Sequence, residues 1–119
     1  MKRIAAIAVL AIAVLLTGNV AQADSPVIYA SGTQCEATWL SSPNQFRIRD
    51  NDLYDSDYCY VDWGWSSGSL TSRFANPQDV GGYFYYTVNV SGHSTIWWKV
   101  CKERQNDPDI CSSVRSDAT

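Results

Sequence analysis

The sequence contains little of the side-chain chemistry on which most catalytic and metal sites depend. It has a single histidine, His93, and four cysteines among which no CxxC pair occurs, so a zinc site is not expected. A serine nucleophile needs a base that a third group orients, and serines beside His93 are also what a turn favours. A carboxylate pair for glycoside hydrolysis stays open on residue types alone, but it needs a cleft that a small domain rarely supplies. We therefore expect no catalytic residue, no cofactor and no enzymatic activity.

Basic residues are scarce as well, with nine Lys and Arg against twelve Asp and Glu in 119 residues. Two of the nine stand at positions 2 and 3, ahead of an apolar run at 4–16 and small residues before Asp24. This arrangement predicts a secretory signal peptide over residues 1–23. A membrane anchor is the alternative, but the run has 13 residues, whereas a spanning helix needs about 20. We expect a secreted, extracellular protein.

The mature chain, residues 24–119, would keep seven basic and twelve acidic residues, a formal charge of −5. Nucleic-acid binding requires Lys and Arg clusters that neutralise phosphates, so no nucleic-acid partner is expected. Anionic lipid also attracts basic rather than acidic segments, so no membrane partner is expected after leader removal. The sequence indicates no particular oligomeric state.

Cysteines are the predicted source of extra stability. Residues 24–119 form a single domain, and a domain this small buries only about two-thirds of its unfolded surface. Four cysteines in an exported chain predict two disulfides with three possible pairings: Cys35, Cys59, Cys101 and Cys111. We favour Cys101 with Cys111, because the intervening segment is polar and contains the turn-forming Asp107-Pro108. That pairing leaves Cys35 with Cys59.

Alternation of apolar and polar residues predicts β-strands, and helical periodicity is absent after the leader. The predicted inward residues are Phe46, Ile48, Cys59, Val61, Trp63, Trp65, Phe84, Tyr86, Val88, Val90, Ile96, Trp98 and Val100. A further strand is expected from Gln34 to Leu40, followed by a turn at 41–44, and a short strand near 70–74. Residues 91–94 predict a hairpin turn, and the polar tail VRSDAT is expected to lack regular structure. The predicted class is all-β: a small antiparallel β-sandwich, immunoglobulin-like, with two disulfides. A small closed barrel is the alternative.

The acidic stretch DNDLYDSDY is a candidate calcium loop. Four carboxylates offer the oxygen ligands that calcium prefers: Asp50, Asp52, Asp55 and Asp57. Their spacing departs from the helix-loop-helix calcium motif, and no helix flanks them. Aspartate is also common in turns because its side chain bonds the nearby backbone. A solvated turn is therefore the favoured interpretation, with a weak calcium site as the alternative.

Three separated segments, QCEATW, FRIRDNDLYDSDYCYVDW and IWWKVCKERQNDPDICSSV, carry a family resemblance. The chain resembles small secreted proteins of unassigned function that are common in filamentous actinobacteria. It departs from them in having DLYDSDY where a glycine-containing turn is more usual. The resemblance implies a bacterial, exported β-sandwich with a terminal disulfide. It does not assign any catalytic residue or any known ligand to the chain.

The aromatic content is the feature that points to function, with five Trp, seven Tyr and three Phe. Strand alternation places five aromatic residues on outward faces, and these are the predicted ligand-binding residues: Tyr58, Tyr60, Tyr83, Tyr85 and Trp97. Asp62 and Lys99 are a possible polar rim. Exposed rings stack on sugars or anchor protein interfaces. The alternative is that a second sheet edge or the long 66–82 loop covers them, or that they stabilise the sheet as cross-strand pairs.

Three functional hypotheses follow. The first is a secreted, non-catalytic binding module for a protein or a polysaccharide. The second is a structural or surface-coat protein that associates with itself through its exposed aromatic residues. The third is a secreted hydrolase inhibitor that presents the 66–82 loop, with Arg73 and Phe74 at its middle.

Overall fold

A computed structural model describes residues 23–53, 56–77 and 81–119 of the chain. Most of the predicted signal peptide therefore lies outside the described residues. Within these ranges the regular structure consists of strands: β1 (Ile28–Ala30), β2 (Cys35–Leu40), β3 (Gln45–Asp50), β4 (Cys59–Gly64), β5 (Ser72–Ala75), β6 (Tyr83–Thr87), β7 (Thr95–Lys102), β8 (Ile110–Cys111) and β9 (Arg115–Ala118). The described residues include no helix of the length and hydropathy that crossing a membrane requires.

The strands form two antiparallel sheets that pack face to face. The first sheet has the order β1-β2-β3-β6, and the second has the order β5-β4-β7-β8, with β9 also paired to β7. Every strand pair is antiparallel. The predicted all-β class and the small antiparallel sandwich are therefore confirmed.

The core confirms the predicted alternation in β3 and β7, whereas five residues of the predicted inward set are only partly buried: Trp63, Trp65, Phe84, Tyr86 and Val90. Phe46 is fully buried, and its ring centroid lies 4.9 Å from that of Trp39 and 5.4 Å from that of Trp98. Ile48 and Val100 are also fully buried. Since side chains alternate along a strand, each of these residues places its neighbours in the chain on the outer face.

Both predicted disulfides are present. The Cys35–Cys59 bridge joins β2 to β4 and so links the two sheets, with Cα atoms 5.6 Å apart. The Cys101–Cys111 bridge joins neighbouring strands of the second sheet. A turn-rich segment lies between the last two cysteines, as the favoured pairing requires.

The predicted hairpin at residues 91–94 is wrong, although the turn itself is present, with the His93 amide donating to the Val90 carbonyl at 2.9 Å. This turn joins two strands that do not pair, because β6 pairs with β3 and β7 pairs with β4. Turn residues specify a chain reversal. They do not specify whether the chain continues in the same sheet.

The polar tail is more ordered than the sequence indicates, because residues 115–118 form β9. Two buried tryptophans use it as their hydrogen-bond acceptor. The Trp39 indole N–H donates to the Ala118 carbonyl at 3.0 Å, and the Trp98 indole N–H donates to the Asp117 carboxylate at 2.8 Å. A buried indole N–H needs a partner, so the tail completes the core despite its composition.

Candidate binding surface

The outer face of the first sheet brings three tyrosines and two arginines together. Strand register aligns Tyr29 with Glu36, Glu36 with Arg49, and Arg49 with Tyr83 in one row across the sheet. The next row aligns Thr38 with Arg47 and Arg47 with Tyr85. These positions alternate with the buried residues of β3, so their side chains lie on the face away from the core. We call this surface the tyrosine–arginine face, defined by Tyr29, Arg47, Arg49, Tyr83 and Tyr85.

The tyrosines of this face are among the most exposed large apolar side chains in the described residues. Tyr85 is 54% exposed, Tyr29 is 45% exposed and Tyr83 is 43% exposed. A single exposed aromatic residue is ordinary on a protein surface. Three on one sheet face are more than scattered exposure, and exposed apolar patches more often mark an interaction site.

The two arginines stack on one of these rings. The guanidinium carbons of Arg47 and Arg49 lie 4.8 Å and 5.1 Å from the centroid of the Tyr83 ring. A cation over an aromatic face at this range is held by the ring quadrupole. The ring therefore positions both guanidinium groups without neutralising their charge.

The remaining predicted ligand residues lie on the second sheet, so the five do not form one site. Tyr60 is 2% exposed, and its expected exposure is wrong. Its hydroxyl donates to the Asp109 carboxylate, and the Arg73 guanidinium carbon lies 3.8 Å from its ring centroid. Burial, together with the hydrogen bond to Asp109, raises the pKa of Tyr60 well above its ordinary value. Tyr58 is half-buried, with its ring centroid 6.1 Å from that of Tyr60.

The covering of Tyr60 comes from the loop that the second disulfide closes. Tyr60 pairs with Cys101 across β4 and β7, and Cys101 is bonded to Cys111 at the far end of that loop. Asp109 lies just before Cys111, which places its carboxylate over the outer face of the second sheet. The alternative explanation of the outward aromatics named a sheet edge or the 66–82 loop as the cover, whereas the segment whose carboxylate accepts the Tyr60 hydroxyl is the one that the second disulfide closes.

Trp97 and the predicted polar rim also lie on the second sheet. Trp97 is half-buried and pairs with Gly64. Asp62 pairs with Lys99 across the strands, but its carboxylate is held by Arg73 at 2.6 Å and 3.0 Å. These residues and the tyrosine–arginine face thus lie on opposite outer faces of the sandwich.

The acidic stretch forms a hydrogen-bonded turn in the residues that are described. Asp50 is 4% exposed, and its carboxylate accepts the Asp52 amide at 2.9 Å. The Asp52 carboxylate accepts the Gln34 side-chain amide at 3.1 Å. Asp55 lies outside the described residues, and Asp57 is half-buried. Among the residues with described positions, no group of three or more His, Cys, Asp or Glu is arranged to hold a metal. The calcium site stays a prediction.

Sequence reasoning assigned no binding role to Tyr29, Arg47 or Arg49. The alternation in QFRIRD does place both arginines outside. What it does not reveal is that β3 lies beside β6, far along the chain, so that these arginines meet Tyr83. Tyr29 was missed because no strand was expected before Gln34.

Comparisons with protein-family models, with curated proteins and with solved structures find no match to this chain.

Proposed function

We propose that the protein is an exported, non-catalytic binding module that holds a polysaccharide on the tyrosine–arginine face. The observation that carries the proposal is the pairing of Tyr83 and Tyr85 on one outward face, with exposures of 43% and 54%. Two residues apart on a strand, they are separated by about 7 Å along it. Tyr85 offers an exposed apolar platform beside the Tyr83 ring, against which two guanidinium groups lie, and a sugar polymer presents a series of ring faces to such a surface.

The spread of the tyrosine–arginine face over three strands favours an extended ligand over a compact one. Three strands of the first sheet supply the tyrosines and arginines, and the smaller residues between them, Glu36 and Thr38, are buried. The rings therefore stand above their neighbours. A polymer chain laid across them contacts several side chains at once, which multiplies individually weak contacts.

Export is supported by the disulfides, and the residues just after the proposed cleavage position pack on the domain. Two disulfides are compatible with an oxidising environment. The Ser41 amide donates to the Asp24 carboxylate at 3.0 Å, and the Ser25 amide donates to the Trp39 carbonyl at 2.9 Å. Residues just after the proposed cleavage position thus contact β2 and the turn that follows it. Intact-mass measurement of the protein recovered from culture medium should give residues 24–119.

An immunoglobulin-like arrangement is supported by the strand order. The first sheet contains β2-β3-β6, which corresponds to the order A-B-E, and the second contains β8-β7-β4-β5, which corresponds to G-F-C-C′. In that correspondence the tyrosine–arginine face is the outer surface of the A-B-E sheet. The bridge from β2 to β4 also links the two sheets, but in this correspondence it joins A to C, whereas the core disulfide of antibody domains joins B to F.

The test is retention of the mature domain on polysaccharides, measured by affinity electrophoresis or calorimetry. Tyr85→Ser is expected to weaken binding about tenfold, the equivalent of about 1.4 kcal/mol. Lys99→Ser, a change on the opposite face, should leave affinity within about twofold. Unchanged binding by the Tyr85 variant would remove this face as the site.

Self-association is a second candidate, because β6 is an edge strand whose residues, Tyr83–Thr87, include no charge. An uncharged edge offers unpaired backbone groups to another copy. Sedimentation velocity over a concentration series distinguishes self-association from polysaccharide binding by a monomer. A species that stays monomeric at high micromolar concentration excludes the coat-protein hypothesis.

The inhibitor hypothesis receives less support from the contacts of its two named residues. Arg73 lies in β5 and is engaged by Asp62, and Phe74 stacks on Tyr86 with ring centroids 4.8 Å apart. Both side chains are therefore used within the domain and do not project from a free loop.

A further inference from the structure

The arginines of the tyrosine–arginine face differ from the other arginines in the described residues. Arg73, Arg104 and Arg115 each have an aspartate within ion-pair distance, at 2.6 Å, 2.8 Å and 2.8 Å. Among the residues with described positions, Arg47 and Arg49 form no such pair. Glu36, opposite Arg49 in the register, is 9% exposed and is not within ion-pair distance of it.

This local charge contrasts with the charge of the whole domain. Residues 24–119 carry seven basic and twelve acidic side chains, so an anion approaching at random meets mainly repulsion. On the tyrosine–arginine face the two arginines extend from backbone positions about 7 Å apart along β3, and both guanidinium groups lie against one ring. The face is therefore a place where an anion is attracted despite the acidic net charge of the domain.

The two guanidinium groups are held in place before a ligand arrives. Both lie against the ring of Tyr83, at 4.8 Å and 5.1 Å from its centroid. Among the described residues the buried Nε atom of Arg47 has no hydrogen-bond partner, so a ligand would meet this guanidinium through its terminal nitrogens. An arginine ordered by stacking loses less conformational freedom on binding, and its planar fork matches a carboxylate, sulfate or phosphate.

From these observations we infer that the ligand is an anionic polysaccharide, whose acidic groups bind Arg47 and Arg49 while its sugar rings pack on Tyr85. This inference rests on the proposed function and adds the chemical class of the ligand. A neutral polymer would cover two cations without pairing them. The tyrosines distinguish a sugar polymer from a bare anion, because only the polymer supplies a ring face to Tyr85.

The experiment compares matched polymers on the mature domain, residues 24–119. Polygalacturonate is set against its methyl-esterified form, and dextran sulfate against dextran, so that charge changes while the backbone is kept. The anionic member of at least one pair should bind at least about tenfold more tightly than its neutral counterpart. Whether polygalacturonate or dextran sulfate binds assigns the acidic group as carboxylate or sulfate.

The salt dependence of the affinity tests the anionic assignment independently of the polymer comparison. With two charges neutralised and a slope of about −0.7 per charge, affinity should fall about sevenfold between about 50 mM and 200 mM salt. A single-stranded DNA of similar charge is the control for charge alone. DNA that binds as tightly as the anionic glycan would overturn the assignment of a sugar ligand.

The variants separate this inference from the proposed function. Arg49→Gln should weaken anionic-glycan binding at least about fivefold, whereas Arg104→Gln, which changes the net charge equally on another surface, should have an effect below about twofold. Tyr85→Ser should weaken binding to the same polymer. If Tyr85→Ser weakens binding but Arg49→Gln and salt do not, the face binds a neutral glycan and the anionic assignment is wrong. If neither the anionic nor the neutral polymers bind, both the anionic assignment and the proposed function are wrong. Unfolding temperatures within a few degrees of the parent establish that each variant is folded.

Discussion

The carboxylate of Asp117 should stabilise the fold far more than its place in a polar C-terminal tail implies. It accepts the indole N–H of Trp98, a side chain with no exposed surface, at 2.8 Å. It also holds Arg115 by two bonds of 2.8 Å each, in a pair whose side chains are 12% and 27% exposed. Asp117→Ala leaves a buried donor without an acceptor, which costs about 1–3 kcal/mol. Loss of the partly exposed ion pair adds up to about 1 kcal/mol.

The expected total is about 2–4 kcal/mol, which corresponds to a fall in melting temperature of roughly 10–30 °C for a domain of this size. Urea unfolding followed by tryptophan fluorescence and by far-UV circular dichroism measures it. Asp117→Asn keeps an oxygen acceptor for the indole and should cost no more than about 1 kcal/mol. Asp107→Ala breaks an ion pair of the same 2.8 Å length whose aspartate is 60% exposed, and it should cost less than about 1 kcal/mol.

Two results would refute this reasoning. If Asp117→Ala costs no more than Asp107→Ala, the tail is not completing the core. If Asp117→Asn costs as much as Asp117→Ala, the loss of charge opposite Arg115 explains the effect, and the hydrogen bond to Trp98 does not. A cycle with Trp98→Phe, which removes the donor, checks the assignment, because the cost of Asp117→Ala should shrink in that background.

The remaining predictions concern the cross-link, alkaline pH and a close backbone approach. Replacing Cys35 and Cys59 by alanine should cost about 3.5 kcal/mol by the chain-entropy estimate for a separation of 24 residues, measured by urea unfolding, and a cost near zero would contradict that estimate. The raised pKa of Tyr60 means that the unfolded chain loses this proton first, so stability should be unaffected below about pH 10 and fall above it by up to about 1.4 kcal/mol per pH unit. Tyr60→Phe should remove that part of the slope, and an unchanged slope would show that another group is responsible. A Cβ at Gly64 would lie 2.1 Å from a backbone carbonyl oxygen of the loop that folds back on it, so Gly64→Ala should cost about 1–3 kcal/mol. At Gly68, where the added Cβ meets nothing within 4 Å, the same change should be close to neutral, and equal effects at both glycines would exclude the clash as the cause.

Much of the fold could be predicted because strand alternation is a local property. Phe46 and Ile48 alternate with Arg47 and Arg49, and the structure buries the first pair and turns the second outward. The favoured disulfide pairing was also predictable, because the short polar segment between the last two cysteines allows their strands to lie side by side. Predictions of this kind need only the neighbouring residues in the chain.

The candidate site was predicted only in part, because outward-facing is not the same as exposed. Tyr60 and Tyr85 have the same alternation, yet one is 2% exposed and the other 54%. The difference comes from Asp109 and its loop, which fold over the second sheet and accept the Tyr60 hydroxyl. The described residues cover Tyr85 much less, so that it stays 54% exposed. The order of the tail was missed for a related reason: the buried indole groups that β9 satisfies belong to strands distant in the chain.

The sequence by itself determined that most of the described chain from residue 34 to 102 forms strands, which side of β3, β4, β6 and β7 is apolar, and which cysteine pairing is favoured. These follow from backbone geometry and short-range chain statistics. Only the tertiary structure decided that β3 lies beside β6, and hence that Arg47 and Arg49 meet Tyr83 on one surface. The choice of strand neighbours depends on the burial and hydrogen bonding of the whole chain at once, so no local stretch of residues contains it.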